Sequence, residues 1–493
     1  MKRLFLLAGT TALFCLGHAG RLAAQVYTEM LHYAMTQVDG SGRTVGAGGA
    51  LGALGADIGA LSINPAGLGR YHRSELVFAI GWDGTHTSSL FGATKESINK
   101  SFMSLPAMGI VFAGRTRQSD WKALNVSVTY NRQTNYNRRF FFEGDASGSL
   151  IDKFVDDARG VDPNDLDNYT TGLAYDVFAI YDDNHDLNYE SDFSGVTDSF
   201  YHSQDILERG SMGELGIALA SNYKDRLYIG MSFGIPVLSY KVDKTYQERD
   251  DHNTIQYFDR LRFDENVTTS GSGFNVKLGL IYRVSKMLHI GMALHSPTWL
   301  DLSDSYNNTM LYQYTDGAGE HSNEKTPEES GAFDYRVRTP WRAILSGGVV
   351  IGRRAFWGVD IGLVNYASSE FDLTRELQSQ ETRDLERDLN RQISKNFRQA
   401  TNFRTGGEYR YKTFRFRAGI GLYGSALADD DSFSKVYSLG VGYRVKNFFA
   451  DLAWRSNAYA EGYAPFSGDY LKPTAALINT KHHTVSLTVG IKL

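Results

Sequence analysis

The residues of this chain that are capable of acid–base or metal chemistry are not arranged for it. His482 and His483 are adjacent, and adjacent residues of a strand point to opposite faces, so the two cannot easily share one ion. The Asp-rich runs at 182–184 and 429–431 could hold calcium in a loop, but such runs are more typical of solvated loop tips. A lipase would need a serine, a histidine and an acid placed together, and no local motif suggests one. The sequence therefore predicts no enzyme, no cofactor and no metal site.

The segment with the most distinctive composition is rich in glycine rather than in reactive groups. Residues 41–69 read SGRTVGAGGALGALGADIGALSINPAGLG, and nine of them are glycine. Glycine permits tight turns and close approach of other backbones, but its freedom costs entropy on folding. The segment resembles a nucleotide-binding loop only superficially, because no strand precedes it and no Lys-Ser or Lys-Thr pair follows. Such a segment needs an enclosure, which the rest of the chain must supply.

The chain begins in the manner of an exported protein. Two basic residues, an apolar run and then small residues predict a signal peptide at 1–24, with cleavage before Gln25. The only cysteine, Cys15, lies in this leader, so the mature chain is expected to hold no disulfide. The leader carries three basic residues and no acid, so its removal takes the formal net charge from −5 to −8. This mild acidity argues against nucleic acid as a partner.

Most of the mature chain alternates with the two-residue period of a β-strand. In the last segment, Val485, Leu487 and Val489 lie on one face and Ser486 and Thr488 on the other. The same pattern occurs at 227–235, 276–283 and 414–423. The second face mixes glycine and serine with arginine and lysine, which suits the lumen of a barrel better than the solvated face of a sandwich. No run of 18 apolar residues follows the leader, so no helix is expected to span a membrane.

The connections between these strands alternate between short turns and long loops. We predict the long loops at 84–106, 141–211, 306–330, 367–399 and 459–480, and helices within two of them at 150–158 and 373–397. This asymmetry is typical of outer-membrane barrels. The sequence thus predicts an all-β fold, a transmembrane antiparallel β-barrel of about 14 strands in the outer membrane of a Gram-negative bacterium. Residues 256–284 could form one long strand or two.

The glycine-rich segment resembles the N-terminal hatch of the FadL/TodX family. The residues that carry the resemblance are Arg43, Gly48, Gly49, Asp57, Asn64, Pro65, Ala66 and Gly67. Four later segments, at 271–284, 288–299, 338–351 and 403–425, are similar to strands of the same family. This family consists of outer-membrane channels for long-chain fatty acids and aromatic hydrocarbons. The resemblance implies a barrel formed by 74–493, with residues 25–73 folded into its lumen as a hatch.

The resemblance also implies a mechanism. A hydrophobic small molecule is caught on the extracellular side, shifts the hatch, and leaves sideways through a gap in the wall. Asp57 and Asn64 are expected to cap short helices of the hatch or to bond the barrel wall. The position of the gap is not assigned, because 121–131, the segment where the family has a kinked strand, contains neither proline nor glycine.

The expected partners are a hydrophobic ligand, outer-membrane lipid with lipopolysaccharide, and the barrel-assembly machinery, and the protein is expected to be a monomer. Two other functions stay open: a carrier in the secretion of cell-surface proteins, using the loops 141–211 and 367–399, and a haem receptor. A transporter requires a closed apolar pocket that touches the Asn64 region. A lumen filled by side chains, or a pocket lined only by charges, would argue against transport.

Overall fold

The computed structural model describes residues 23–116, 119–374, 379–466 and 473–493, so the predicted signal peptide lies almost wholly outside the described residues. Within these ranges, 19 strands form one antiparallel sheet, which closes because the first strand pairs with the last. The strands are β1 (Glu75–Phe91), β2 (Thr94–Arg115), β3 (Trp121–Asn135), β4 (Arg138–Ala146), β5 (Phe200–Tyr223), β6 (Leu227–Arg249), β7 (Phe258–Arg283), β8 (Leu288–His295), β9 (Trp299–Asp316), β10 (Gly319–Lys325), β11 (Gly331–Arg338), β12 (Arg342–Ile351), β13 (Ala355–Asn365), β14 (Glu370–Asp372), β15 (Gln399–Tyr411), β16 (Phe414–Gly424), β17 (Phe433–Arg444), β18 (Phe448–Tyr463) and β19 (Ala476–Lys492).

The wall of the barrel has 14 strands, which confirms the predicted fold class. Four wall strands consist of two consecutive segments each: β3 with β4, β8 with β9, β11 with β12, and β13 with β14. The segment β10 pairs only with β9. Residues 258–283 form a single strand, so the open question about 256–284 is resolved in favour of one strand.

The prediction of a loop at 84–106 is wrong. β1 and β2 continue through this stretch and meet at a tight turn formed by Gly92 and Ala93. Within the predicted loop 306–330, β9 and β10 likewise form a hairpin. Both hairpins lie beyond the apolar band of the barrel, where a strand needs no apolar face, so the alternation that identified the other strands is absent. The three other predicted loops are long connections, at 147–199, 366–398 (interrupted by the short β14) and 464–475, and residues 375–378 and 467–472 within them lie outside the described residues.

Helices occupy the interior and the loops rather than the wall. They are α1 (Ala23–Ala34), α2 (Gly42–Gly46), α3 (Ile58–Leu61), α4 (Leu150–Ala158), α5 (Thr171–Asp176) and α6 (Gln380–Asn396), with 3-10 turns at Pro65–Arg70, Pro163–Asp165 and Tyr366–Ser368. The helix predicted at 150–158 is confirmed as α4. The helix predicted at 373–397 is α6, which begins only at Gln380, and residues 375–378 lie outside the described residues. Among the described residues, no helix is long and apolar enough to span a membrane.

Apolar side chains face outward in a band around the barrel. On β6, Ile229, Phe233 and Ile235 are 41 to 43% exposed, whereas the outward positions further along the strand are the polar Ser239 and Lys241. The alternate positions point into the lumen and are buried. Six turns of two to five residues join the strands at one end of the barrel. We call this the short-turn end, and the opposite end the long-loop end.

Candidate lumen gate

The residues between α1 and β1, 35–74, lie inside the barrel, and we call them the hatch segment. Its three short helical turns begin at capping side chains. Ser41 Oγ accepts the Thr44 N–H at 3.2 Å, and Asp57 Oδ1 accepts the Gly59 N–H at 2.9 Å. Helices of four to six residues are not stable alone, so the hatch segment depends on the wall that surrounds it.

Asn64 performs both of the tasks that were expected of it. Its Oδ1 accepts the N–H of Ala66 at 3.1 Å and so caps the turn that begins with Pro65. Its Nδ2 lies 2.8 Å from the Gly52 carbonyl oxygen and 3.2 Å from that of Leu280 in β7. One amide thus joins two parts of the hatch segment to each other and to the wall.

A belt of glycines in the wall makes room for the hatch segment. Eight consecutive wall strands each place a glycine where an added Cβ would come within 3.1 Å of a hatch atom: Gly230, Gly279, Gly291, Gly348, Gly358, Gly406, Gly419 and Gly440. At Gly358, for example, the Cβ would lie 2.1 Å from the Ala50 carbonyl oxygen. The sequence showed small residues on the lumen face of the strands, but it did not show that they form this belt.

The other predicted hatch residues form one packed unit. Arg43 Nη1 donates to the Ala56 carbonyl oxygen at 2.7 Å, and Asp57 Oδ1 accepts the hydroxyls of Ser41 and Thr44 at 2.5 and 2.6 Å. Gly48 adopts a φ of +63°, and its Cα backs onto the wall at Gly419. Gly49, at φ +70°, packs against Val38, and Gly67 packs against Gly55. The structure therefore brings all eight predicted residues together in the hatch segment, and their role in gating stays a prediction.

The wall has a gap between β2 and β3. The ladder between these strands ends at the pair Ala107 and Asn131, and β2 continues to Thr94 without a partner on this side. β3 itself breaks at 136–137, where Asn135 Oδ1 accepts the Asn137 N–H at 3.1 Å. This asparagine turn needs neither proline nor glycine, which is why the sequence gave no sign of the break.

The hatch segment covers the edge of β3 that β2 leaves free. The Gln37 N–H donates to the Gln133 carbonyl oxygen at 2.8 Å, and the Thr134 hydroxyl donates to the Met35 carbonyl oxygen at 2.9 Å. Above the break, β4 pairs with β5 and leans into the lumen, because the Thr87 hydroxyl of β1 bonds the Arg139 carbonyl oxygen. The hatch segment thus takes the place of a missing wall strand.

A buried ion triad joins the hatch segment to the wall beside this gap. Arg132 of β3 lies 2.6 Å from Asp39 of the hatch segment and 2.8 Å from Asp83 of β1, and all three side chains are at most 3% exposed. Asp83 also accepts the hydroxyls of Ser104 in β2 and Thr484 in β19, at 2.5 and 2.7 Å. Four wall strands and the hatch segment therefore meet at one arginine. The sequence carried no signal for this triad.

The fold has solved counterparts, although no protein-family model and no curated protein matches the chain. A Pseudomonas aeruginosa FadL homologue matches with a TM-score of 0.53 at 12% identity, over 93% of this chain and 99% of that chain. This chain has the FadL fold. The Ralstonia pickettii toluene transporter TbuX matches with a TM-score of 0.50 at 13% identity, over 93% of this chain and 99% of that chain. A mutant of the TodX monoaromatic hydrocarbon channel matches with a TM-score of 0.51 at 12% identity, over 92% of this chain and 98% of that chain. The resemblance found in the sequence is confirmed at the level of the fold.

In this example of the FadL fold, α1 fills the lumen toward the long-loop end. Met30 and Ala34 are fully buried, and the Tyr33 and Tyr335 hydroxyls lie 2.9 Å apart. The apolar cluster around α1 draws residues from many strands and from α6: Phe140, Leu238, Leu300, Val337, Leu385, Leu389 and Ile393. Glu29 of α1 is buried in the same region, and burial raises the pKa of its carboxyl well above the ordinary value, with Asp304 adding to the effect. An apolar chamber is present, and α1 occupies it.

A cavity of about 110 Å³ lies beside the hatch segment at Ser62 and Ile63, next to Asn64. Its charged lining residues are Asp39, Arg132, Glu214, Lys277, Arg342 and Arg404, and its apolar ones include Met212, Leu300, Ile344 and Val364. This cavity is therefore not the expected apolar pocket, because charged and apolar side chains both line it. Nor is it lined only by charges. The lumen around it is filled by α1 and the hatch segment, however, and a filled lumen is one of the two outcomes that argue against transport.

Arg342 is the unusual cation of this cavity. Arg132 and Lys277 form ion pairs with Asp39 and Glu214. Among the described residues, no carboxylate lies within ion-pair distance of Arg342. Its guanidinium instead donates to the Ala34 carbonyl oxygen and the Thr36 hydroxyl, at the C-terminal end of α1. A cation is favourable at a helix C-terminus, so α1 itself satisfies Arg342.

Proposed function

We propose that the protein is an outer-membrane channel through which hydrophobic small molecules cross by diffusion, with the hatch segment as its gate. The observation that carries this proposal is that one segment closes both routes out of the barrel. It fills the lumen against the glycine belt, and it covers the free edge of β3 through Met35 and Gln37. A purely structural plug would need only the first contact. Solved structures with this fold include a toluene transporter and a monoaromatic hydrocarbon channel, which supports the same class.

The gap between β2 and β3 is the exit in this proposal. With the long-loop end facing the outside, the β2–β3 ladder ends within the outward-facing apolar band. Met108 and Met103 of β2, beside the gap, are 44 and 67% exposed. A molecule that leaves here enters lipid directly and keeps its apolar surface away from water. Withdrawal of the hatch segment from the β3 edge opens this exit.

Displacement of α1 admits the ligand. Small-molecule pockets typically measure about 300 to 1,000 Å³, whereas the cavity beside the hatch segment measures about 110 Å³. The apolar cluster around Met30 is the larger apolar region, and α1 fills it. In this proposal the structure is the closed state, and an apolar ligand enters by displacing α1 from the chamber.

Arg342 favours an amphiphile with a carboxylate end, such as a long-chain fatty acid, over a bare hydrocarbon. In the closed state its guanidinium bonds oxygens of α1 and the hatch segment. When α1 leaves, this buried cation loses those acceptors, and a carboxylate is the ligand group that best replaces them. An aromatic hydrocarbon has no group for it.

Uptake into liposomes that contain the full mature chain tests these statements. We expect labelled oleate to enter faster than into empty liposomes, and deletion of 41–69 to change that rate. Arg342→Gln removes a charge-assisted contact worth about 1.5–3 kcal/mol, so oleate uptake should fall about tenfold or more relative to toluene uptake, a ratio that any loosening of α1 common to both leaves unchanged. Arg391→Gln, on the exposed face of α6, is the matched control.

The outcomes separate the alternatives. Oleate uptake that is indifferent to the loss of 41–69, or that equals leakage through empty liposomes, contradicts the channel. Equal effects of Arg342→Gln on oleate and toluene contradict the carboxylate preference but leave the channel standing. Absence of any uptake, together with capture of a cell-surface protein by the 147–199 and 366–398 connections, would favour the carrier function instead.

A further inference from the structure

Exposed cations surround the short-turn end of the barrel. Each of the six turns has at least one at or beside it, and we call the set the basic collar: Arg73, Arg115, Lys122, Lys224, Arg226, Lys286, Arg353, Arg354, Arg410, Lys412 and Lys446. Among the described residues at this end, the exposed acidic side chains are Asp120 and Asp225. The whole chain carries a formal net charge of −5. The positive charge is therefore concentrated at this end and does not reflect the overall composition.

The basic collar has almost no counter-charge within the chain. Across the described ranges, its one ion pair joins Lys224 to Asp120, at 3.1 Å. Arg73 bonds the side-chain oxygen of Asn447, and Arg410 bonds the Lys412 carbonyl oxygen, both of which are neutral. Like charges held close together repel one another. An arrangement of this kind is favourable when anions outside the chain neutralise it.

Aromatic side chains mark the depth at which the basic collar lies. Outward-facing, exposed aromatics sit on the same strand ends: Trp121, Tyr282, Tyr409, Tyr411, Phe414, Tyr443 and Phe448. Lys412 lies 5.5 Å from the ring of Tyr411, and Lys224 lies 5.2 Å from that of Tyr223. Aromatic girdles of outer-membrane barrels lie at the interface between hydrocarbon and headgroups. The cations next to them therefore lie at the depth of lipid headgroups.

We propose that the basic collar binds the phosphate groups of anionic phospholipids in the periplasmic leaflet. The distribution of the cations favours lipid over a protein partner, because they follow the whole circumference instead of forming a patch on one side. Each cation near an anionic surface strengthens binding by about fivefold. The inference rests on the orientation given under the proposed function, and it is independent of transport.

The test compares three forms of the full mature chain reconstituted in bilayers. The first is the unaltered protein, and the second carries Lys286→Glu, Arg353→Glu and Lys446→Glu on three different turns. The third is a matched control with Lys95→Glu, Arg391→Glu and Lys395→Glu, which reverses three exposed charges at the long-loop end. The unfolding temperature is measured in vesicles of phosphatidylcholine alone and in vesicles with about a quarter of phosphatidylglycerol. Native mass spectrometry counts the phosphatidylglycerol that each protein retains.

We expect phosphatidylglycerol to raise the unfolding temperature of the unaltered protein and of the control, and the short-turn variant to lose this gain. Its retained phosphatidylglycerol should fall by at least about tenfold. If the short-turn variant does not fold, the retention of phosphatidylglycerol by the unaltered protein must still decrease steeply with added salt. Equal lipid preference in all three proteins, or retention that salt does not change, would overturn the proposal. Because the readout is lipid binding, it is unaffected if the channel function fails.

Discussion

Asp39 joins the hatch segment to the barrel wall through an ion pair. It bonds Arg132 at the point where β2 and β3 separate, and Arg132 in turn bonds Asp83. These three residues are 44 to 93 positions apart in the chain. No spacing pattern links them, so the sequence alone does not predict that they form ion pairs. Asn64 was predictable because it lies in a recognisable motif and a capping position. The difference is between local chemistry, which spacing reveals, and long-range pairing, which only the fold creates.

Replacement of Asp39 by asparagine should loosen the gate without unfolding the barrel. The change removes one of two carboxylates from Arg132 but keeps the shape of the side chain and the pair with Asp83. Loss of a charge-assisted bond costs about 1.5–3 kcal/mol, and we expect it to appear as faster amide exchange at 35–39 and higher basal oleate uptake.

The control for this experiment is Asp205→Asn. Asp205 pairs with Arg139 in an ion pair that is 31 and 46% exposed, and exposed pairs of this kind contribute little. Exchange and uptake that change equally in both variants would show that the buried triad does not hold the gate.

The strands were largely predictable because the bilayer imposes the pattern that reveals them. Inside the apolar band, a strand must alternate lipid-facing and lumen-facing residues, and the number of wall strands followed from that alternation. Beyond the apolar band a strand does not need to alternate in this way, so the sequence predicts a loop where β1 and β2 form a hairpin. The break at 136–137 was equally hidden, since it interrupts pairing without interrupting the alternation that precedes it, whereas the break at 296–298 contains Pro297, which cannot donate to a ladder and marks the break in the sequence.

The glycine belt predicts a position-dependent effect of a single methyl group. At Gly358, an alanine Cβ would lie 2.1 Å from the Ala50 carbonyl oxygen, whereas at Gly347, on the neighbouring strand, it meets nothing within 4 Å. Overpacking of this kind typically costs about 1–3 kcal/mol. Gly358→Ala should therefore displace the hatch segment, seen as faster amide exchange at 46–54, and Gly347→Ala should not.

Both variants should keep the barrel itself, as judged by the heat-dependent mobility of the folded form on a gel. Equal exchange at 46–54 in Gly358→Ala and Gly347→Ala would mean that the wall glycines do not set the fit of the hatch segment.

At the scale of the whole molecule, α1 fills the apolar chamber and its C-terminal end bonds Arg342, so in the channel proposed above it links the external medium to the gate. Its docking should depend on pH through Glu29. Burial raises the pKa of this carboxyl well above 4.5, Asp304 raises it further, and Lys244 opposes the shift. A raised folded-state pKa means that the docked form binds the proton more tightly than the free form. Docking is therefore fully stabilised below about pH 4.5 and weakens as pH rises through the raised value.

Thiol labelling measures this directly, since the only native cysteine, Cys15, lies in the predicted leader. A cysteine that replaces the fully buried Met30 should be labelled faster as the pH rises. The control is a cysteine that replaces the exposed Lys95, because its labelling rate reports the pH dependence of the reagent itself. Addition of Glu29→Gln should abolish the excess. Two results would show that α1 does not release in response to this carboxyl: the same excess of labelling at position 30 when residue 29 is glutamine, or no excess when it is glutamate. The entry step would then depend on the ligand alone.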